Sequence, residues 1–309
     1  MYRDRIRLPS LLNKVMSAAD AAALIQDGMT VGMSGFTRAG EAKAVPQALA
    51  ERAKVSPLKI SLMTGASLGN DLDKQLTEAG VLSRRMPFQV DSTLRKAIND
   101  GSVMFIDQHL SDTVEQLRNR QIKAVDLAVI ECVAITEEGH LILSTSVGNS
   151  ASFAILAKEV IVEINLAQPL ELEGLHDIYI PSYRPTRLPI PVLKPDSRIG
   201  SHAVQIDPAK IIGIVISNQP DSHSTVLPPD EETQAIASHL VEFFKSEVRA
   251  DRLTNSLMPL QAGIGTIANA VMHGLLDSPF HDMTMYSEVL QDSTFDLFDS
   301  GKLIFASGS

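Results

Sequence analysis

Residues 30–54 read "TVGMSGFTRAGEAKAVPQALAERAK", and this stretch sets the architecture. A short apolar run gives way to glycines at positions 32, 35 and 40, and a stretch of helical period follows. That is a strand, a glycine turn and a helix in succession. The event recurs at "LKISLMTGAS" (58–67), which runs into the amphipathic "NDLDKQLTEAG" (70–80). Ahead of both, "SAADAAALIQ" (17–26) predicts a helix with Ser17 as its N-cap. Further strands are predicted at "VMFIDQ" (103–108), "DLAVIECVAI" (126–135), "HLILSTS" (140–146), "EVIVEIN" (159–165), "HDIYIP" (176–181) and "KIIGIVIS" (210–217). Strands interleaved with helices predict an α/β protein built on open, mostly parallel sheets covered on both faces.

Two segments break this rhythm. "IPSYRPTRLPIPVLKPDSRIG" (180–200) holds five prolines and reads as an extended surface excursion. "NQPDSHSTVLPPDEET" (218–233) is polar, proline-rich and without period. It precedes the helical "QAIASHLVEFFKSEV" (234–248) and is read as an interdomain connection. We therefore expect a first α/β domain over 1–217, a linker over 218–230, and a second α/β domain beginning at 231 and incomplete at 309. The final "GKLIFASGS" (301–309) reads as a strand entering a turn, so the chain is expected to be the front part of a longer protein.

The formal net charge of −10 argues against nucleic acid or an anionic membrane as partner. A small polyanion needs only a local cluster of N–H groups and remains compatible. The one cysteine, Cys132, lies in an apolar strand and reads as a buried hydrophobe. No intramolecular disulfide is possible, which points to a reducing compartment. No stretch has the form of a signal peptide, and the most apolar window, "ASFAILAKEVIVEI" (151–164), is broken by Lys158 and Glu159. A soluble, cytoplasmic protein is the expectation.

The eight histidines are scattered without metal-ligand spacing, so no metal site is expected. There is no Gly-x-Ser-x-Gly elbow and no Walker loop. What remains are the glycine turns and one carboxylate. In the first turn, glycine lets backbone approach a ligand, and the helix after it offers free N–H groups. "LQAGIGTIANAV" (260–271) opens a second helix with Gly263 and Gly265 on either side of Ile264, and the pattern suggests an anion nest. Gly263-x-Gly265-x-x-Ala268 also matches a dinucleotide fingerprint, with Glu288 placed as a ribose-binding acid. Against this, the preceding "SLMPLQ" (256–261) is a poor strand, containing Pro259.

"MTMYSEV" (283–289) is a strand that ends on Glu288. Ligands of open parallel sheets bind beyond the carboxyl ends of strands. A carboxylate facing clustered N–H donors suits attack on an activated acyl group, with the donors receiving the oxyanion. A plain solvated glutamate after a strand fits the same spacing.

Six co-linear stretches extend the reading: "SGFTRAGEAKAVPQAL", "LMTGASLG", "DLAVIECVAI", "VQIDPAKIIGIV", "PLQAGIGTIANAVMHGL" and "MYSEVLQDS". In this order they resemble the acetyl-CoA hydrolase/transferase family, class I CoA-transferases of the succinyl-CoA:acetate type. The resemblance implies two CoA-transferase α/β domains, the second of which continues in family members beyond what is present here. It implies CoA transfer from a short acyl-CoA to a small carboxylic acid by a ping-pong route through a glutamyl-CoA thioester on Glu288. No cofactor is held permanently; coenzyme A enters as substrate. Leu260, Gln261, Ala262, Gly263, Ile264 and Gly265 would line CoA, with the Ile264 N–H as an oxyanion donor. Gly35, Phe36, Thr37 and Ser67 would face the acyl pocket, and a homodimer is expected. Some acetate- and succinate-using members carry an arginine after the domain crossing; here the sequence reads "NQPDSHS", which leaves the acceptor acid open. Two alternatives stay open. Water could replace the acceptor acid on the same glutamate, giving a hydrolase, or the chain could bind acyl-CoA without turnover.

Overall fold

The computed structural model describes residues 2–66, 69, 71–222 and 228–308. The chain divides into two compact units, Met1–Leu188 with Gly200–His223 and Pro189–Ile199 with Ser224–Ser309.

In the first unit, strands β1 (Thr30–Met33), β2 (Ile60–Met63), β3 (Leu82–Met86), β4 (Met104–Phe105), β5 (Leu127–Ile135), β6 (Leu141–Leu143), β7 (Glu159–Asn165) and β8 (Ile211–Ser217) form one sheet. Its order is β4-β3-β2-β1-β5-β7-β8, parallel throughout, with β6 antiparallel to β5. Helix α1 (Ala18–Ala23) precedes β1, and the helices between strands are α2 (Ala44–Val55), α3 (Leu72–Glu78), α4 (Ser92–Asn99), α5 (Leu110–Arg118) and α6 (Ser150–Leu156). Ser17 caps α1 as the sequence predicts, its hydroxyl accepting from the Asp20 N–H at 3.1 Å.

All nine residues of β5 are buried, as expected of a central parallel strand. Their alternation divides the core into two layers. Ala128, Ile130 and Cys132 join Phe153 and Ala154 of α6, whereas Leu127 and Val129 join Val45, Leu49 and Ala53 of α2. Cys132 is fully buried, and burial holds its thiol well above the usual range. Glu131 and Glu163 share the odd-numbered face that carries α2, and both are buried.

Two local readings of the sequence need correction. "HDIYIP" forms no strand; Ile178 makes only an isolated bridge to Ser201, closed off by Pro181. "VMFIDQ" yields a strand of two residues at the sheet edge. Conversely, "LSRRM" forms β3, which its two arginines had concealed. Arg85 is fully buried and forks onto Asp73 of α3, with Nε donating to Oδ1 at 2.7 Å and Nη2 to Oδ2 at 3.2 Å.

The second unit opens with α7 (Glu231–Arg249), started by a reciprocal capping box between Asp230 and Thr233. Helices α8 (Thr266–Gly274) and α9 (Asp292–Asp299) flank the parallel pair β9 (Met283–Ser287) and β10 (Leu303–Gly308). Val241, Met272, Leu275, Phe280, Met283, Met285, Leu297 and Leu303 form its core. Among the described residues, no helix is long and apolar enough to cross a membrane.

Candidate active site

In the second unit the sequence places a glycine loop and a carboxylate, and the fold brings their two segments side by side. Leu260 pairs with β9 on the edge opposite β10. Its N–H donates to the Thr284 carbonyl at 2.8 Å, and the Tyr286 N–H donates to its carbonyl at 2.9 Å. Beyond this bridge the loop leaves the sheet and is held from Ser287 and Gln291. Ser287 is fully buried; its hydroxyl accepts from the Ala262 N–H at 3.2 Å and donates toward the Ala262 carbonyl at 2.9 Å. The Gln291 amide donates to the Gly263 carbonyl at 3.1 Å and accepts from the Gly265 N–H at 3.0 Å.

The anion nest read from the sequence is therefore narrower than expected, because two of its N–H groups already have acceptors. Among the described residues, the N–H groups of Gly263 and Ile264 donate to no protein acceptor. Ile264 is 59% exposed, and Gln261, Gly263 and Gly265 are exposed with it. Glu288 follows β9 directly, between the two residues that clamp the loop. It is exposed, and its carboxylate accepts no hydrogen bond from the described residues. Free donors on one segment and a free carboxylate on the adjoining one can together hold and attack an electrophilic carbonyl.

In the first unit Gly35, Phe36 and Thr37 form a tight turn after β1. Phe36 and Ala39 exchange both backbone hydrogen bonds at 3.0 Å, and the Thr37 N–H reaches the Ala66 carbonyl at 2.9 Å. Gly35 and Gly40 have φ of 126° and 67°, a region that glycine adopts freely. Ser67 lies outside the described residues.

The helix after this turn does not present free N–H groups, contrary to the sequence reading. Glu163, from β7, accepts from the backbone N–H of Lys43 and Ala44 at 2.9 Å each and of Val45 at 3.2 Å. Pro46, next in the helix, has no N–H to satisfy. A buried carboxylate of the protein thus occupies the positive end of α2. The Lys43 side chain turns the other way, its Nζ lying 2.5 Å from Glu131 Oε2 and 2.9 Å from Asp221 Oδ1. Glu131 also accepts from Ser144 Oγ at 2.7 Å and Asn165 Nδ2 at 3.0 Å. Burial nevertheless pushes the Glu131 carboxyl up to about 7, against the pull of the Lys43 ammonium. For Lys43, burial works downward, but Glu131 and Asp221 outweigh it and hold the ammonium above its ordinary value.

Residues 4–216 match the acetyl-CoA hydrolase/transferase N-terminal domain. The chain belongs to the acetyl-CoA hydrolase/transferase family. A succinyl-CoA:acetate CoA-transferase of Clostridium kluyveri is 44% identical over 307 residues, 99% of this chain and 57% of that protein. An acetyl-CoA hydrolase of Eremothecium gossypii is 41% identical over 320 residues, all of this chain and 61% of that protein. The chain thus spans about three fifths of the length of these relatives. The fold is shared with RipA from Yersinia pestis, at a TM-score of 0.67 and 18% identity over 96% of this chain and 64% of that one. A 4-hydroxybutyrate CoA-transferase from Porphyromonas gingivalis gives 0.60 and 18% over 98% and 60%.

The resemblance read from six motifs is thereby established as family membership, and the two-unit, mostly parallel α/β architecture agrees with the family fold. Ser287 and Gln291 are residues of this family member that the sequence reading quoted without assigning. A serine at a strand end and a glutamine before a helix carry no signal until the loop they clamp is seen. Among the described residues, no group of three or more His, Cys, Asp or Glu is arranged to hold a metal ion.

Proposed function

We propose that this chain carries the nucleophile and the first oxyanion donor of a CoA-transferase. The observation that carries the proposal is the clamp. Ser287 and Gln291 flank Glu288 in sequence and fix the Ala262–Gly265 loop, while Glu288 and the Ile264 N–H are themselves left unengaged.

The reaction follows from carboxylate and thioester chemistry. Glu288 attacks the acyl carbonyl of an acyl-CoA, and the oxyanion of the tetrahedral intermediate accepts from the Ile264 N–H. The C–S bond breaks, giving an acyl-glutamyl anhydride and CoA thiolate. The thiolate then attacks the glutamyl carbonyl, releases the first acid as its carboxylate and leaves a glutamyl-CoA thioester. An incoming carboxylate takes the CoA by the same steps in reverse, so no net proton is consumed. Leu260, Gln261, Ala262, Gly263, Ile264 and Gly265 line the CoA, whose remote binding stabilises the transition states. In this reading Gly35, Phe36, Thr37 and Ser67 face the acyl group. Residues 1–217 make the first catalytic domain, 218–230 the connection and 231–309 the start of the second. A cytoplasmic homodimer completes it.

The identity with acetyl-CoA hydrolases favours a second reading, in which water discharges the same Glu288 intermediate. Both are tested by incubating the protein with acetyl-CoA or succinyl-CoA, quenching in acid and mapping covalent mass on peptides. A CoA-sized adduct on the Glu288 peptide, absent in Glu288→Ala, is expected. Adding acetate should discharge the adduct faster for a transferase and leave the rate unchanged for a hydrolase. If no adduct appears, either alone or when the remaining two fifths of the family length is supplied, Glu288 is not the nucleophile.

A further inference from the structure

The chain does not leave the first unit where β8 ends. Past Ser217 its next residues are tied back onto that unit, to which they belong as far as His223. The Gln219 N–H donates to Asn165 Oδ1 at 3.2 Å, and the Gln219 carbonyl accepts from Asn165 Nδ2 at 2.7 Å. Asp221 is held by the loops after β1 and β6. Its Oδ1 lies 2.9 Å from Lys43 Nζ and accepts from the Gly40 N–H at 3.3 Å, and its Oδ2 accepts from Thr145 Oγ1 at 2.5 Å. Beneath this seat lies one buried carboxylate. Glu131 Oε2 accepts from Lys43 Nζ at 2.5 Å and from Asn165 Nδ2 at 3.0 Å, the same two groups that hold Asp221 and Gln219. The Lys43 ammonium has no proton to spare, because the third goes to the Glu41 carbonyl at 2.9 Å.

We infer that Gln219–Asp221 forms a proton-coupled latch, which seats the interdomain connection on the first unit while Glu131 is protonated and loosens when Glu131 ionises. With Glu131 neutral, the Lys43 ammonium is balanced by Asp221 alone. With Glu131 ionised, two carboxylates share that one cation and repel each other. Burial chiefly, with Asp221 adding to it, pushes the Glu131 carboxyl up to about 7 against the pull of Lys43. Coupling is reciprocal: seated Asp221 favours the proton on Glu131, so the proton favours the seated Asp221. The seated state keeps its proton to higher pH than the released one. Seating is therefore strongest in acid, weakens as pH rises toward 7 and is constant above. The other charges around Glu131 are the same in both states. Glu163 on β7 is bonded to the N–H groups of α2, and Glu41 lies near Lys43. Arg5 donates to the Val133 and Asn165 carbonyls, and His176 meets the Ser144 carbonyl. Seated, the connection departs after Asp221; released, it departs at the end of β8. None of this depends on the role of Glu288.

The Gly40 and Gln219 N–H groups are bonded to side chains of the seat, so their exchange with solvent reports it. The test is hydrogen exchange of the full chain between pH 5 and 8.5, read by mass spectrometry on the peptides holding these two residues and corrected for intrinsic rates. Both peptides should exchange faster as pH rises toward 7, by at most roughly tenfold per pH unit, the limit for one coupled proton, and level off above it. Glu131→Gln, neutral at every pH, should keep both protected throughout. Asp221→Asn should expose both at every pH and abolish the dependence, with the melting midpoint reporting that the variant is folded. Should Asp221→Asn fail to fold, Thr145→Val removes one bond to Asp221 from an exposed position and should expose both peptides in part. Wild-type protection of both peptides in folded Asp221→Asn or Thr145→Val overturns the latch. A pH dependence that survives Glu131→Gln overturns its coupling to that carboxyl.

Discussion

Glu131 and Glu163 stand at matched register on the neighbouring parallel strands β5 and β7, both buried, and are satisfied through the two ends of one residue. The Lys43 backbone N–H bonds Glu163, and the Lys43 ammonium bonds Glu131. Like charges opposite one another on a sheet repel, so this pairing demands separate compensation for each. Glu163 has three N–H groups of α2. Glu131 shares its one cation with Asp221.

The first prediction follows from that shared cation. Burial raises the folded-state carboxyl of Glu131 to about 7 from an ordinary 4.5. Between those values the folded state binds more protons than the unfolded one, so stability falls as pH rises through the window. The full drop is at most about 3 kcal/mol, from the size of the shift. Amide exchange of β5, measured by mass spectrometry between pH 5 and 7.5 and corrected for intrinsic rates, should show this fall, and Glu131→Gln should flatten it. A profile equally steep in the variant would assign the effect elsewhere. The raised Lys43 acts in the same direction but at higher pH: its contribution is complete below the ordinary lysine range and is lost as pH climbs through the folded value.

Lys43→Met is the second prediction. Removing the ammonium leaves the buried Glu131 and the neighbouring Asp221 without their cation. Breaking a buried ion pair from one side typically costs about 3–5 kcal/mol. Adding Glu131→Gln to Lys43→Met should recover at least 1 kcal/mol of this, a coupling expected of groups in contact. Strict additivity of the two in thermal unfolding of the first unit would show that the pair is not coupled.

Arg85 illustrates where the sequence stops being legible. Strand β5 announces itself because every residue is apolar or small apart from Glu131 in the middle, and β7 because Val160, Ile161, Val162 and Ile164 form a nearly continuous β-branched run. The strand β3 contains two adjacent arginines, and nothing local says that one of them is buried against Asp73, twelve positions earlier on a helix. The same holds for the N-terminus of α2. The glycine turn before it was readable, but its N–H groups are occupied by Glu163, which lies 120 positions away. Periodicity and turn chemistry are local and were readable; charge pairing across the sheet is not. The position of Glu288 at the end of β9 was readable because the apolar strand pattern stops at a carboxylate, whereas the clamp made by Ser287 and Gln291 needed the loop they hold.

Those two residues give the third prediction. Ser287→Ala removes both bonds to Ala262, and Gln291→Ala removes those to Gly263 and Gly265. Each change should slow formation of the Glu288–CoA adduct by about ten- to a hundredfold, since a loosened oxyanion loop loses part of what a fixed donor supplies. The stability cost should be only about 1 kcal/mol per lost bond. The check is the adduct rate at saturating acyl-CoA together with the melting midpoint of the second unit. Equal proportional losses in both would reduce the two residues to structural ones.

The last prediction separates strain from ligand contact at the two loop glycines. A Cβ placed on either Gly263 or Gly265 would meet nothing within 4 Å in the free protein. They differ in backbone: Gly265 has φ of 115°, where a side chain is strained, and Gly263 is not among the positive-φ residues. Gly265→Ala should therefore destabilise the second unit by about 1 kcal/mol or more before any ligand is present. Gly263→Ala should leave the melting midpoint unchanged. If CoA lies against this loop, the added methyl meets the ligand instead, and the acyl-CoA concentration giving half-maximal adduct formation should rise by roughly tenfold, the effect of about 1.4 kcal/mol. Unchanged stability with unchanged acyl-CoA dependence in Gly263→Ala would mean that the ligand does not approach this backbone, and CoA would have to be placed elsewhere.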